Sequence, residues 1–425
     1  MSKKFSNVRG TRDIIFEEAE KFLNIIDTAR KISKLYGYSE VILPTIEYYE
    51  LFAKKSGYEI NKRMYVFEDL ARRKVALRPE LTPSVARLFI NKLQHLPKPI
   101  RLSYFANVFR YDEPQKARYR EFWQAGFEHL GSQSILADCE VVIMCNDIFK
   151  ALGITNIRLK IGHMGIIKEI LKYAGINDEE LLYFLYLIDK KNFDELKKLI
   201  INYKHGEEAY NILSNLSGLK ENFIDEAKEL INIPNISNQL NDLFNFVNLL
   251  KNVGINGINI DLSFARGIEY YTGIIYEYYT NELDVSIGGG GRYDFLIEYY
   301  GGPKTPATGC ALGIDRILLV TKLNLTEKPK ECVIYPLTTT EKSVQFIFRI
   351  IRELSRMNYV FNIDTKSSSL KESLSNAVKK GASFFIIIGE KEATNNMVII
   401  RNLLRKAQFE VNIENIKDWF LKNAG

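Results

Sequence analysis

The chain has 425 residues, 46% of them hydrophobic and 26% charged, with a net charge of +6. That length exceeds what one hydrophobic core organises, so two or three domains are expected. No apolar run approaches the roughly 18 residues that span a bilayer, and the charged N-terminus lacks an apolar leader core, so the expected location is the cytoplasm, with no membrane partner.

The four cysteines (Cys139, Cys145, Cys310, Cys332) are scattered, with no Cys-x-x-Cys pair and no histidine at ligand spacing. That argues against a structural zinc site and a disulfide framework; reduced, buried thiols are expected. The charge is uneven: from Lys328 onward 16 Lys+Arg face 10 Asp+Glu, which accounts for the whole net excess. A basic tail suits a phosphate-backbone partner, and equally a lysine-rich surface kept for solubility.

Residues 16–36 carry Ala19, Phe22, Leu23, Ile26, Ala29, Ile32 and Tyr36 at helical spacing, and Gly37 ends that helix. Tyr38–Leu43 reads as a strand stopped by Pro44. A second helix is predicted over 81–93, then strands over 100–110 and 119–130 joined by a polar loop from Asp112 to Arg118. Residues 136–151 read as helix. From about Met164 to Val253 the texture is Leu, Ile, Lys, Glu and Asn at helical periods, a helical insertion with no chemistry of its own. Strands return at Gly257–Phe264 and Tyr270–Tyr279, followed by the glycine run 288–291 and an apolar helix from about Cys310 to Leu323. A boundary falls near Thr326–Lys330. Beyond it strands (332–337, 359–363, 383–389) alternate with helices (343–357, 369–379), a small α/β domain with a largely parallel sheet.

The hairpin 100–130 is the richest segment. Side chains two apart on a strand share a face, so Arg118, Arg120, Phe122, Gln124, Gly126 and Glu128 share one, with Arg110 across the loop. That floor suits an anionic phosphate at one end and a cationic or hydrogen-bonding group at the other, or else a solvated face of cross-strand ion pairs. His129 falls on the opposite face as a packing residue. In RGIEYYTG (Arg266–Gly273), Arg266 and Tyr271 have opposite parity, so a bulge or kink near Gly267 is needed to present both to one site. In GGGGRYD (Gly288–Asp294) and TGCALGIDRI (Thr308–Ile317), neither a P-loop nor a dinucleotide fingerprint is present. Arg316, placed on a helix among small residues, needs an acidic partner such as Asp315 or an anionic ligand. With histidine pairs absent, arginines and carboxylates point to phosphoryl or nucleotidyl transfer run by positioning and electrostatics.

In this order, SEVILPTIE, FRYDEPQKARYREFWQAGFEHLG and CALGIDR resemble the three motifs of class II aminoacyl-tRNA synthetases. VRGTRDI, RPELTP (78–83) and above all RGIEYYTG resemble the histidyl-tRNA synthetase family, over residues 8 to 323. The resemblance implies an α+β catalytic domain, with a mainly antiparallel six- or seven-stranded sheet flanked by helices (1–163 and 254–325). It further implies a helical insertion (164–253) and a C-terminal α/β anticodon-binding domain (330–425). The implied activity is ATP-dependent activation of L-histidine and its transfer to tRNA(His), with Mg²⁺ on the ATP phosphates. A homodimer is implied too, with the first motif at its interface.

By motif position, Arg110 would hold the ATP α-phosphate, Arg316 the γ-phosphate, and Arg118 the phosphates from the loop. Arg266 would lie between the histidine carboxylate and the α-phosphate. Glu80, Thr82 and Gln124 would orient the α-amino group, Tyr270 would belong to the same histidine pocket, and Glu128 and Tyr271 would address the imidazole nitrogens. No metal-ligating residue is implied. The sequence departs from the family where many bacterial members place a second basic residue after Arg110; here stand Asp112-Glu113-Pro114-Gln115. A carboxylate there would repel a phosphate backbone, so acceptor-stem recognition is expected to differ. The alternative is a non-catalytic, synthetase-like regulatory subunit of histidine biosynthesis, in which the ATP-binding arginines erode and the C-terminal domain is usually missing.

Overall fold

The N-terminal helix α1 (Phe16–Leu35) forms because Phe22, Ile25, Ile26 and Ala29 recur on one side and are buried, while Glu17 and Glu18 favour its positive end. Gly37, at φ +81°, ends it. The computed structural model describes residues 5–53, 60, 62–216, 227, 231, 233, 236–266, 269–322, 330–354, 357, 359–366 and 369–423. The chain divides into two compact units, Met1–Asn324 and Leu325–Gly425.

In the first unit, the strand predicted over 38–43 is reduced to β1 (Ser39–Glu40), because Pro44 follows closely. Next come β2 (Ile46–Tyr48), helix α2 (Tyr49–Ala53), β3 (Val66–Glu68) and β4 (Lys74–Leu77), which form a three-stranded sheet ordered β2-β4-β3. Helix α3 (Thr82–Leu88) starts with proline in its first turn. Then β5 (Ile100–Phe109) and β6 (Glu121–Leu130) pair antiparallel, with Tyr104 opposite Gly126.

Helix α4 (Ile135–Ala151), capped by the Ser134 side chain, leads to β7 (Arg158–His163). Helices α5 (Met164–Ala174), α6 (Asp178–Asp189), α7 (Phe193–Ile200), α8 (Gly206–Asn215) and α9 (Ile236–Asn252) follow. Their apolar faces (Ile166, Phe184, Leu196, Leu213, Phe246) join the core beneath the sheet. The sheet is completed by β8 (Ile258–Ile260), β9 (Ile274–Tyr279), β10 (Gly288–Arg292) and, after the short helix α10 (Leu296–Tyr299), β11 (Ala307–Gly313).

Among the described residues this sheet has eight strands, not six or seven, ordered β1-β5-β6-β11-β10-β9-β7-β8. Only the outer pairs β1–β5 and β7–β8 are parallel. The helix predicted from Cys310 is a second correction. Residues up to Gly313 are strand, paired with β6 and β10, and only Ile314–Val320 (α11) is helical. Small residues at 309, 311 and 313 are thus spaced at the strand period of two. The strand expected over 270–279 begins at Ile274, leaving Tyr270 and Tyr271 in a turn. The kink expected at Gly267 lies outside the described residues, as does most of the boundary expected at Thr326–Lys330.

The second unit comprises β12 (Lys330–Pro336), α12 (Glu341–Leu354), β13 (Tyr359–Ile363), α13 (Leu370–Lys379), β14 (Phe384–Ile388), α14 (Glu390–Thr394), β15 (Met397–Asn402), β16 (Ala407–Asn412) and α15 (Ile416–Asn423). Its sheet, ordered β13-β12-β14-β15-β16, is parallel through β14 and antiparallel beyond. The largely parallel sheet expected from the alternation holds for its first three strands, which the helices cross over. All four cysteines are buried and unbridged.

Candidate active site

A cavity opens over the face formed by β6, β11 and β10. The ten residues to which the family resemblance assigns a role all line it: Glu80, Thr82, Arg110, Arg118, Gln124, Glu128, Arg266, Tyr270, Tyr271 and Arg316. The alternation on β6 does place Phe122, Gln124 and Glu128 on that face. Arg120 is an exception. It precedes the strand, donates to the Asp112 carbonyl at 3.0 Å and lies over the Tyr111 ring, outside the cavity lining. His129, on the opposite face, is buried with Nε2 4.0 Å from Glu140.

Glu128 sits at the closed end and is 1% exposed. One of its oxygens accepts from Thr82 Oγ1 at 2.8 Å and from the Tyr104 hydroxyl at 3.3 Å; the other accepts from the Tyr293 hydroxyl. Burial pushes its pKa up to about 7 in spite of these three donors, and neighbouring Glu80 adds to the rise. Backbone space is made for it. A Cβ on Gly309 would stand 1.9 Å from a Glu128 carboxylate oxygen, and one on Gly126 would stand 1.9 Å from the Tyr104 ring. Glu80 accepts from the Tyr270 hydroxyl at 2.8 Å, and Gln124 Oε1 is buried with no hydrogen-bond partner among the described residues.

The other end is cationic. Arg110 Nε donates to the Pro79 carbonyl at 2.9 Å, and its guanidinium lies over the Phe122 ring. Arg316 donates to two carbonyls, Ala117 at 3.1 Å and Ser286 at 2.6 Å. Burial lowers the pKa of both, and for Arg316 the nearby charges of Arg110 and Arg118 lower it further. A carboxylate partner for Arg316 was one expectation. Asp315 does not supply it: its two oxygens accept from Arg12 at 2.9 Å and from the Trp123 amide at 2.7 Å. Arginines that repel one another inside a cavity mark a place for an anion.

Arg266 bridges the two ends. Its guanidinium donates to the Tyr271 hydroxyl at 3.2 Å and lies 3.5 Å from Glu277. Burial opposes its charge, yet Tyr271 and Glu277 hold its pKa above the usual arginine value. The opposite parity of Arg266 and Tyr271 is resolved because neither belongs to a strand.

Tyr104, Tyr293 and Arg63 line the cavity too and were not singled out in the sequence. Tyr104 had a signal, since it faces Gly126 across the hairpin; Tyr293 stands within GGGGRYD. Arg63 had none. Asp112 is not a bare carboxylate facing a phosphate: it is buried and paired with Arg63 at 3.1 Å and Arg118 at 3.0 Å. Glu113 is exposed and pairs with Arg9. Among the described residues no group of three or more His, Cys, Asp or Glu could hold a metal ion.

Comparison with known proteins agrees with this geometry. The family model described as histidyl-tRNA synthetase matches residues 10–317, and one described as an anticodon binding domain matches 331–423. A histidine–tRNA ligase of Sulfurisphaera tokodaii is 42% identical over 98% of each chain, and that of Sulfolobus acidocaldarius 39% over 99% of each. A crystal structure of apo Staphylococcus aureus histidyl-tRNA synthetase superposes with TM-score 0.71 at 24% identity, covering 98% of this chain and all of that one. A Bacillus halodurans structure described as an ATP phosphoribosyltransferase regulatory subunit/histidyl-tRNA synthetase gives 0.75 at 25% identity, over 88% and 97%. A catalytic-domain match across the cavity-forming segments, a C-terminal anticodon-binding match and near-full-length relatives place the chain in the histidyl-tRNA synthetase family.

Proposed function

We propose that the chain activates L-histidine with ATP and transfers it to the 3′ end of tRNA(His), and that the ten cavity residues do this work. The observation that carries the reading is a single cavity with a buried, tyrosine-ringed carboxylate at one end and a cluster of arginines at the other.

Histidine lies with its ring against Glu128 and Tyr271 and its α-amino group toward Glu80, Thr82 and Gln124, with Tyr270 holding Glu80. Once Glu128 is ionised it accepts from one ring nitrogen, while the Tyr271 hydroxyl addresses the other. An amino acid without both nitrogens leaves buried polar groups unpaired, a penalty that supports discrimination of about 10⁴. Mg²⁺ would accompany ATP as part of the substrate and offset phosphate charge alongside Arg110, Arg118 and Arg316. Arg110 holds the α-phosphate, with Arg118 and Arg316 on the outer phosphates. A histidine carboxylate oxygen attacks the α-phosphorus, the bond to the bridging oxygen breaks, and pyrophosphate leaves. Arg266 neutralises the two anions as they approach, and in a water-poor site that contributes orders of magnitude in rate. The terminal ribose hydroxyl of tRNA then attacks the acyl carbon and AMP departs.

Residues 1–163 and 254–325 serve as the catalytic domain, 164–253 as an insertion and 330–425 as the anticodon-binding domain. A homodimer is supported by apolar side chains left bare around the first motif: Leu35 and Ile42 are 78% and 97% exposed. The cytoplasm is the proposed location, and among the described residues no helix is long and apolar enough to cross a membrane. The regulatory alternative is disfavoured, because Arg110, Arg266 and Arg316 all line the cavity and the C-terminal domain is present. ATP–pyrophosphate exchange with each of the twenty amino acids tests the reading. Exchange with histidine alone is expected, and none from folded protein would overturn it.

A further inference from the structure

We propose that Lys168, on the first helix of the insertion, is a positioning residue for histidine recognition: it holds the backbone that presents Tyr270 and Tyr271. The inference rests on the reading above, in which those tyrosines serve the histidine pocket.

The turn bearing the two tyrosines precedes β9, so no strand ladder fixes it. On one side it is tied to β10, where the Thr272 amide donates to the Arg292 carbonyl at 2.8 Å. On the other side the tie comes from α5. Lys168 Nζ donates to the Tyr271 carbonyl at 2.7 Å and to the Glu269 carbonyl at 3.3 Å. An ammonium shared between two carbonyls two residues apart sets the direction of the backbone between them, and with it the aim of the Tyr270 and Tyr271 side chains. Those side chains then meet Glu80 and Arg266 within hydrogen-bond distance.

Lys168 is itself well placed to be rigid. Helix α5 starts where β7 ends, its first turn is capped by His163 Nδ1 accepting from the Ile166 amide, and the Met164 amide donates to the Gly273 carbonyl. Ile166, Ile167, Ile170 and Leu171 around it are fully buried. Charge-assisted hydrogen bonds of this kind are the stronger ones, and a pocket that reads two ring nitrogens tolerates little misplacement. In this reading the insertion takes part in amino-acid selection by positioning, while the reacting groups stay in the catalytic domain.

Lys168→Met keeps the aliphatic stem and removes the donors. In ATP–pyrophosphate exchange it is expected to raise the KM for histidine about tenfold, through loss of the two charge-assisted hydrogen bonds that hold the turn, with the KM for ATP within twofold of the parent. Tyr271→Phe, measured alongside, must also raise the histidine KM. A histidine KM unmoved by Lys168→Met but raised by Tyr271→Phe overturns the role of Lys168 alone. A histidine KM unmoved by both overturns the pocket reading and this inference with it. Parallel rises in both KM values for Lys168→Met mean general loosening and also overturn the proposal.

Discussion

Replacing Glu128 by glutamine should stabilise the catalytic unit while disabling it, and the gain should depend on pH. In the unfolded chain this carboxyl titrates near 4.5, and in the folded chain burial pushes it up to about 7. Below pH 4.5 it is protonated in both states and contributes nothing. Between the two values the folded chain keeps a proton that the unfolded chain has released, so stability falls as pH rises. Above pH 7 the full cost of a buried charge is present, about 3 kcal/mol at 1.36 kcal/mol per pH unit. Glu128→Gln removes that cost and keeps oxygen and nitrogen positions toward Thr82, Tyr104 and Tyr293.

The stability difference between variant and parent should therefore grow by about 3 kcal/mol from pH 4.5 to pH 8. Urea unfolding read at Trp123, in a Trp419→Phe background so that only the catalytic unit reports, measures it. A difference that stays flat across that range would refute the claim that burial dominates this carboxylate. The same variant should lose histidine-dependent exchange at every pH.

Gly309→Ala drives a methyl group against Glu128 and to 2.7 Å from the Phe127 carbonyl, so histidine activation should be abolished. Overpacking of this kind costs about 1–3 kcal/mol, visible as a lower urea midpoint. Arg316→Gln should raise the KM for ATP at least about tenfold, by loss of a charge-assisted phosphate contact, and leave the histidine KM nearly unchanged in steady-state exchange. Arg12→Ala leaves the buried Asp315 carboxylate without its cation and should destabilise the catalytic unit by about 3 kcal/mol in the same urea assay. On the proposed homodimer, Ile42→Glu should shift sedimentation toward monomer; unchanged sedimentation would contradict an interface at the first motif.

How much could be read from residue order depended on whether a signal was local. The strand period placed Gln124, Gly126 and Glu128 on one face, and the structure agrees because β6 is regular over all ten residues. The same rule failed at Arg120, which lies before the strand begins. Gly309, Ala311 and Gly313 look from sequence like small neighbours of Arg316 at the start of a helix, yet an apolar run of that length has no decisive period, and pairing with β6 and β10 settles it as strand. Arg63 reaches the cavity through Asp112, and Arg12 reaches Asp315 across some 300 residues of sequence; neither pairing leaves a trace in spacing. Strands β15 and β16 were not foreseen, although Met397–Asn402 alternates buried and half-buried side chains.

At the centre of the proposed function, the cavity identifies histidine by both ring nitrogens. Exchange measured with histidine and with its two ring-N-methylated isomers tests it directly. Each isomer blocks one nitrogen and leaves the size and the α-carbon groups nearly intact. Both should fall by about 10⁴ in kcat/KM relative to histidine. If either isomer stays within tenfold of histidine, the nitrogen it blocks is not read, and the assignment of Glu128 or Tyr271 to that nitrogen is wrong.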